Sequence, residues 1–315
     1  VRKSGVLLHV TSFPSPFGIG DLGKEARETL ITLSQAGVRL WQVLPLGPTG
    51  FGDSPYSPRS SFAGNELLID LRTLDSLCGE KGLGKTFNDS TPFNGDRVNY
   101  PQVYSHKMVL LKEAAKLFLQ NNSNYGPYLD FCNKNSWWLD DYALYQALVN
   151  KFNDSRWFLW EESLKHRKKG AITKALKENL EEVNTYKVLQ YFFYSQWNSL
   201  HDFANSLGIE IIGDMPIFAA SDSVDVWTHP ELFKLDENLK QTAQAGVPPD
   251  AFSDDGQLWG NPVYNWPVHE KQDFSWWRQR LEVTLSQVDI VRIDHFRGFE
   301  SYWEVPIQEK TAANG

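Results

Sequence analysis

Cysteine and methionine are scarce, two of each in 315 residues. Cys78 and Cys132 stand far apart, with no histidine at metal-ligand spacing. That argues against a disulfide-stapled scaffold and a cysteine zinc site, and it predicts two free thiols in a reducing compartment, the cytoplasm. Positive charge is in deficit too: 31 Lys+Arg face 39 Asp+Glu, a net charge of −8. Nucleic acid calls for a basic stripe and so does an anionic membrane surface, so neither partner is expected. Long apolar runs are missing. The one near the start, Gly5–Val10, is too short for a signal peptide or a membrane span. The sequence starts at Val1 rather than Met, which leaves open a removed targeting segment, a plastid one included.

Aromatic residues are abundant instead: 12 Trp, 12 Tyr and 19 Phe. Aromatics usually pack a core. Here many sit in polar company, as in Trp227-Thr228-His229, Leu258-Trp259-Gly260-Asn261 and Tyr264-Asn265-Trp266. A flat apolar ring beside hydrogen-bonding groups suits a sugar, which has a C–H face and a rim of hydroxyls.

One unit recurs along the chain. An amphipathic segment ends in Gly, a short apolar strand follows, then polar residues. Lys24–Ala36 with Gly37 and Phe192–Leu207 with Gly208 are two cases; Trp276–Gln287 is a third without the Gly. Gly just past a helix is a stop signal. Apolar strands alternating with helices predict a buried parallel sheet. Four strands are expected, over Gly5–His9, Leu40–Pro45, Glu210–Pro216 and Val288–Asp294. The spacing also predicts helices over Ser105–Gln120, Leu139–Asn150 and Glu178–Ser195. The chain then divides into residues 1–70 with the first strands, a mainly helical insertion over 71–195, and further strands with a long loop over 196–315. The basic cluster Lys165-His166-Arg167-Lys168-Lys169 reads as a solvated helix face or loop.

In a parallel barrel the chemistry lies where the strands end. Val288–Gly298 is the strongest such segment. With a period of two, Arg292 and Asp294 face one side, and Val291 and Ile293 the other. A neighbouring Arg favours the charged form of a carboxyl, as a carboxylate nucleophile requires. A buried structural ion pair is the alternative. Asp214 sits near another strand end, and a turn or helix-capping Asp is its alternative. Gly50–Tyr56 reads as a loop, and the Pro/Gly-rich stretch from Gly246 to Pro262 as a loop without regular structure, long enough to be functional.

These blocks, taken in order, resemble the 4-α-glucanotransferases, also called amylomaltases or disproportionating enzymes. The resemblance starts at Gly5-Val6-Leu7-Leu8-His9 and Phe17–Gly23. It continues through Trp41–Leu46, Asp53-Ser54-Pro55-Tyr56, Gly213-Asp214-Met215-Pro216, Gly246–Asp250 and Trp259-Gly260-Asn261-Pro262 to Arg292–Gly298. It implies a (β/α)8 barrel with helical insertions. It implies transfer of α-1,4-glucan segments between maltooligosaccharide, starch or glycogen chains by a retaining double displacement, with no cofactor and no metal. Asp294 matches the nucleophile, and Arg292 and His295 its neighbours. Asp214 matches the acidic residue of the Gly-Asp-Met-Pro block, and Tyr56 the ring that stacks beside the scissile bond. Asp250 and Trp259 match a flexible loop over the substrate. Asp53, Ser54 and Asn261 join the expected binding set.

The sequence departs from the family in one respect. The family's acid/base Glu lies in a Glu-Asp-Leu-Gly pattern after a later strand, and no such pattern occurs here. Glu300 and Glu304 follow Asp294 but match no acid/base position. The expectation is an N-terminal part of such an enzyme, inactive alone, with the acid/base elsewhere. An α-glucan hydrolase on the same barrel and a non-catalytic glucan-binding fragment are the alternatives.

Overall fold

The computed structural model describes residues 2–77, 93, 96–120 and 125–315. The chain runs β1 (Gly5–Leu7), α1 (Lys24–Gln35), β2 (Leu40–Gln42), α2 (Tyr100–Gln120), α3 (Tyr125–Phe152), α4 (Glu162–Lys165), α5 (Lys169–Glu178) and α6 (Leu180–Ser206). It continues β3 (Glu210–Met215), α7 (Val224–Thr228), β4 (Ala243–Val247), β5 (Gln257–Pro262), α8 (Trp266–Lys271), α9 (Ser275–Gln287), β6 (Ile290–Ile293) and β7 (Trp303–Pro306). All four expected strands form, each shorter than the apolar run that predicted it. They make one sheet in the order β1-β2-β3-β6, every pair parallel.

The helix-to-strand joints explain themselves locally. Gly37 and Gly208 take φ of +81° and +73°, a left-handed turn that a side chain resists. The N–H of Val38 then reaches back to Leu33 O, and that of Ile209 to Ala204 O, closing the last turns of α1 and α6. The next residues start β2 and β3.

Trp41 of β2 is fully buried and meets Trp197 of α6 at 6.1 Å between ring centres. Further up the same helix Phe192 meets Phe118 of α2 at 5.3 Å, and Tyr186 meets Tyr142 of α3 at 6.4 Å. One continuous helix thus packs against both the sheet and the helical lobe. The expected seam between residues 195 and 196 falls inside it, because the apolar stripe never breaks there. The other face of the sheet is open: Leu7 is 58% and Ile290 40% exposed.

Two expectations are corrected. The stretch from Gly246 to Pro262 is not irregular: β4 pairs antiparallel with β5 and with β7 in a second, three-stranded sheet. Its strands carry small and exposed residues, AQAGV and QLWGNP, so no alternating pattern marks them. The basic cluster is not wholly solvated. Lys165 is buried, and the Arg167 guanidinium lies 4.4 Å over the Trp227 ring and pairs with Asp141 at 2.5 Å. Cys132 is a half-buried free thiol, and Cys78 lies outside the described residues. Among the described residues no helix is long and apolar enough to cross a membrane.

His9, just past β1, gives the fold a pH dependence. Burial lowers its imidazole pKa to about 4, and its Nδ1 is buried without a hydrogen bond. The folded value lies below the unfolded 6.5, so the unfolded chain binds the extra proton between those two values. The stabilisation is complete above pH 6.5 and is lost as pH falls toward 4, by about 3 kcal/mol. Buried Glu66 and Asp225 are pushed up by burial and act with the opposite sign. The test is therefore a difference: urea midpoints at pH 7 and pH 4.5 for the protein and for His9→Gln. The variant should lose less on acidification, and equal losses would refute the role of His9.

Candidate active site

Strand register builds the centre. Asp214 of β3 stands opposite Arg292 of β6, and Asp294 follows on the same face of β6. The Arg292 Nη1 donates to both Asp214 oxygens at 2.7 Å, and Nη2 donates to Asp294 Oδ1 at 2.8 Å. The Asp294 N–H donates to Met215 O at 3.0 Å, which extends the parallel ladder one residue beyond the strand. Asp214 lies beneath and its side chain is inaccessible, whereas those of Arg292 and Asp294 are partly open. The hydrogen bonds to Asp214, and then to Asp294, hold the guanidinium pKa above its ordinary value.

Tyr56 arrives from the loop after β2. The N–H of Ser57 donates to Ser54 O at 3.2 Å and the N–H of Tyr56 to Ser54 Oγ at 3.3 Å, which closes a turn and aims the ring inward. Its Oη donates to Asp214 Oδ2 at 2.6 Å. Burial, then the bond to Asp214, pushes the phenol pKa up to about 12, so it keeps its proton at neutral pH. Asp214 therefore accepts three hydrogen bonds and ties one loop and two strands to one point.

Above this centre lies a cleft of about 400 Å³, with Tyr56, Phe218, Trp259, Asn261 and Asp294 in its lining. Trp259 is held edge-on to His295 at 5.4 Å and to Phe218 at 6.3 Å. Asn261 Nδ2 donates to Ala219 O at 2.9 Å. His295 adopts φ +51°, uncommon for a non-glycine residue, and its Nε2 is buried with no hydrogen bond among the described residues. The Asp214–Arg292–Asp294–Tyr56 group thus assembles with His295, Trp259 and Asn261 around it.

Two expected residues stand apart. Asp250 is exposed, and its Oδ1 accepts the N–H groups of Phe252 and Ser253 in a local turn. Asp53 lines a separate cleft of about 490 Å³ with Arg59 and Glu66, at the edge of the helical lobe. Ser54 shapes the Tyr56 turn rather than lining the cleft. Of the acids after Asp294, Glu304 is engaged with Lys234 Nζ at 2.7 and 2.9 Å. Glu300 is exposed and pairs with the Ser301 hydroxyl. Among the described residues the cleft lining has one carboxylate, Asp294, and no group of His, Cys, Asp and Glu could hold a metal ion.

Sequence reading missed the supports. Ile217 and Phe218 line the cleft, and the wholly buried Arg280 of α9 holds their segment by donating to Ile217 O at 3.1 Å and to Pro216 O. Tyr264 Oη donates to Ile217 O at 2.6 Å. Arg278 and Arg280 both lie on α9, and the sequence gives no sign that the second faces inward. Ile217 and Phe218 did carry one: they directly follow Gly213-Asp214-Met215-Pro216.

Comparison with known proteins adds to this geometry. A model of the 4-alpha-glucanotransferase family matches residues 8–315. The 4-alpha-glucanotransferase of Thermus thermophilus is 48% identical over 316 residues, covering 100% of this chain and 62% of the relative. That of Aquifex aeolicus is 47% identical, with 100% and 63% covered. The solved amylomaltase of Streptococcus agalactiae in complex with acarbose superposes with a TM-score of 0.95 at 41% identity, over 100% of this chain and 63% of that one. The chain thus spans just over three fifths of the length of the relatives it matches.

Proposed function

Because the chain belongs to the 4-alpha-glucanotransferase family, we propose that the protein transfers α-1,4-glucan segments from one maltodextrin or starch chain to the 4-OH of another. Its four parallel strands are part of a (β/α)8 barrel wall. The observation that carries the reading is the Asp214–Arg292–Asp294 chain of hydrogen bonds at the strand ends, under an aromatic cleft.

Asp294 is the nucleophile. Arg292 holds its Oδ1, which leaves Oδ2 for the anomeric carbon of the donor. The C–O bond to the leaving chain breaks as the new bond to Asp294 forms, and the departing 4-oxygen takes a proton from a carboxylic acid. In the second half the same group accepts the proton of the acceptor 4-OH, whose oxygen displaces Asp294. Configuration is retained because the carbon is inverted twice. A retaining pair needs its two carboxyls about 5 Å apart. Among the described residues Asp294 is the one carboxylate in the cleft lining, and the matched relatives are longer than the chain.

Tyr56, protonated and fixed on Asp214, offers its ring face to the sugar at the scissile bond. Trp259 adds a second aromatic ring to the cleft lining, held edge-on by His295. Carboxylates carry the chemistry, so the reaction needs no cofactor. The free thiol of Cys132 fits a reducing compartment, and we assign the reaction to the cytoplasm.

The test is product analysis with maltotriose and the full-length protein. Transfer yields glucose together with maltopentaose and longer chains. A product set containing only shorter sugars would make the protein a hydrolase and reject the proposal.

A further inference from the structure

Arg280 of α9 carries a charge into the interior and spends it on main chain. Its Nη1 donates to Ile217 O at 3.1 Å, and its Nη2 donates to Pro216 O. The guanidinium lies 5.3 Å from the ring centre of Trp276 and 5.0 Å from that of Trp277. The buried carboxyl of Asp225 supplies opposite charge: burial pushes its pKa up, and the Arg280 charge acts against that shift. Burying a charge is costly even when it is paired, and an apolar side chain of similar volume would fill this space without the cost. What the guanidinium adds is a fixed place for Pro216 and Ile217.

That place matters to Asp294 at two points. Met215 O, next to Pro216 in the chain, accepts the Asp294 N–H at 3.0 Å. The Ile217 side chain packs against Gly298, so closely that a Cβ there would stand 2.5 Å from Ile217 Cδ1. The turn from Asp294 to Gly298 is thus braced at both ends by the segment that Arg280 holds. Within it His295 keeps its φ of +51°, a conformation that lasts where the surroundings enforce it. The aromatic wall of the cleft has a support of its own. The Tyr264 ring stacks on Phe218 at 5.9 Å, and its Oη donates to Ile217 O at 2.6 Å.

We propose that Arg280 is a positioning residue for the nucleophile: through Pro216 and Ile217 it sets the turn that carries Asp294, and it touches no substrate. The inference rests on the reading of Asp294 as the nucleophile of glucan transfer.

The test is steady-state kinetics on maltotriose with the full-length protein, Arg280→Met, Arg280→Lys and Leu139→Ala. Methionine keeps much of the volume and offers no donor. Lysine keeps the charge but has no fork to span two carbonyls. Leu139 is buried in α3, outside the cleft lining, and its truncation controls for lost stability alone. Arg280→Met should lower kcat about tenfold or more, since a misplacement of about 1 Å can cost on the order of 10²-fold. KM should stay within about threefold, because Tyr264 still holds Phe218. Arg280→Lys should recover part of the rate and remain severalfold below the wild type. Leu139→Ala should melt at a lower temperature yet keep kcat and KM within about twofold when assayed below its transition. A folded Arg280→Met with kcat within twofold of the wild type would overturn the inference. So would a rise in KM with kcat kept, or an equal loss of kcat in Leu139→Ala. If Arg280→Met does not fold, Arg280→Lys decides alone: severalfold lower kcat at unchanged KM supports the role, and kcat within twofold rejects it. If the wild type hydrolyses maltotriose without transfer, the transferase reading fails separately. The same comparison is then read on hydrolysis, which also begins with attack by Asp294. If it turns over no glucan at all, both fall.

Discussion

Asp294→Asn in the full-length protein should lower transfer from maltotriose by about 10⁴-fold or more, the scale of losing a covalent nucleophile. The substitution keeps the shape of the side chain and can keep the acceptor that Arg292 Nη2 holds at 2.8 Å. The backbone bond from the Asp294 N–H to Met215 O is untouched, so the fold should survive. What is lost is the charged oxygen that bonds to the anomeric carbon. Asp294→Ala sharpens the test. It opens a space that azide can enter on the face the carboxylate leaves, which should restore part of the rate and release the β-glucosyl azide. A purely structural carboxylate would give no such product. Glu304→Gln is the contrast: Glu304 is spent on Lys234, so transfer should stay within about twofold. If Glu304→Gln abolished transfer while Asp294→Asn kept it, the assignment would be wrong.

Legibility in the sequence followed the range of the forces. The helix–Gly–strand joints are local, so Gly37 and Gly208 announced where α1 and α6 end and where β2 and β3 begin. Parallel strands buried on at least one face read as apolar runs, and β1, β2, β3 and β6 were all visible. The Arg292–Asp294 alternation gave their shared face correctly. The register that sets Asp214 opposite Arg292 was not visible, because it depends on how β3 and β6 slide past one another. The second sheet was hidden for the same reason. Its strand β7 lies far along the chain from β4, and Ala243–Val247 has no pattern of its own. Arg280 is the extreme case: only the folded chain shows that its guanidinium supports the loop at Pro216 and Ile217. Within the candidate site, residues at strand ends were legible, and those acting through loop backbone were not.

Arg292→Lys should cost transfer about a hundredfold, mainly in kcat, although the charge is kept. The guanidinium is a flat fork, and here it uses three hydrogen bonds to hold two carboxylates: both oxygens of Asp214 through Nη1, and Asp294 Oδ1 through Nη2. Lysine presents a single ammonium on a flexible stem and cannot repeat that spacing. Buried Asp214 holds the stronger claim on it, since leaving a buried carboxylate without its cation is costly. The ammonium should therefore settle on Asp214 and release Asp294. A nucleophile displaced by about 1 Å can cost on the order of 10²-fold. Tyr56 stays in place, because its bond at 2.6 Å is to Asp214 and not to Arg292. Substrate stacking should then persist, and KM for maltotriose should change little while kcat falls. Charge alone would predict a different outcome, with Lys restoring most of the rate lost in Arg292→Ala. If Lys does so, Arg292 acts as a counter-ion and not as the group that fixes where Asp294 points.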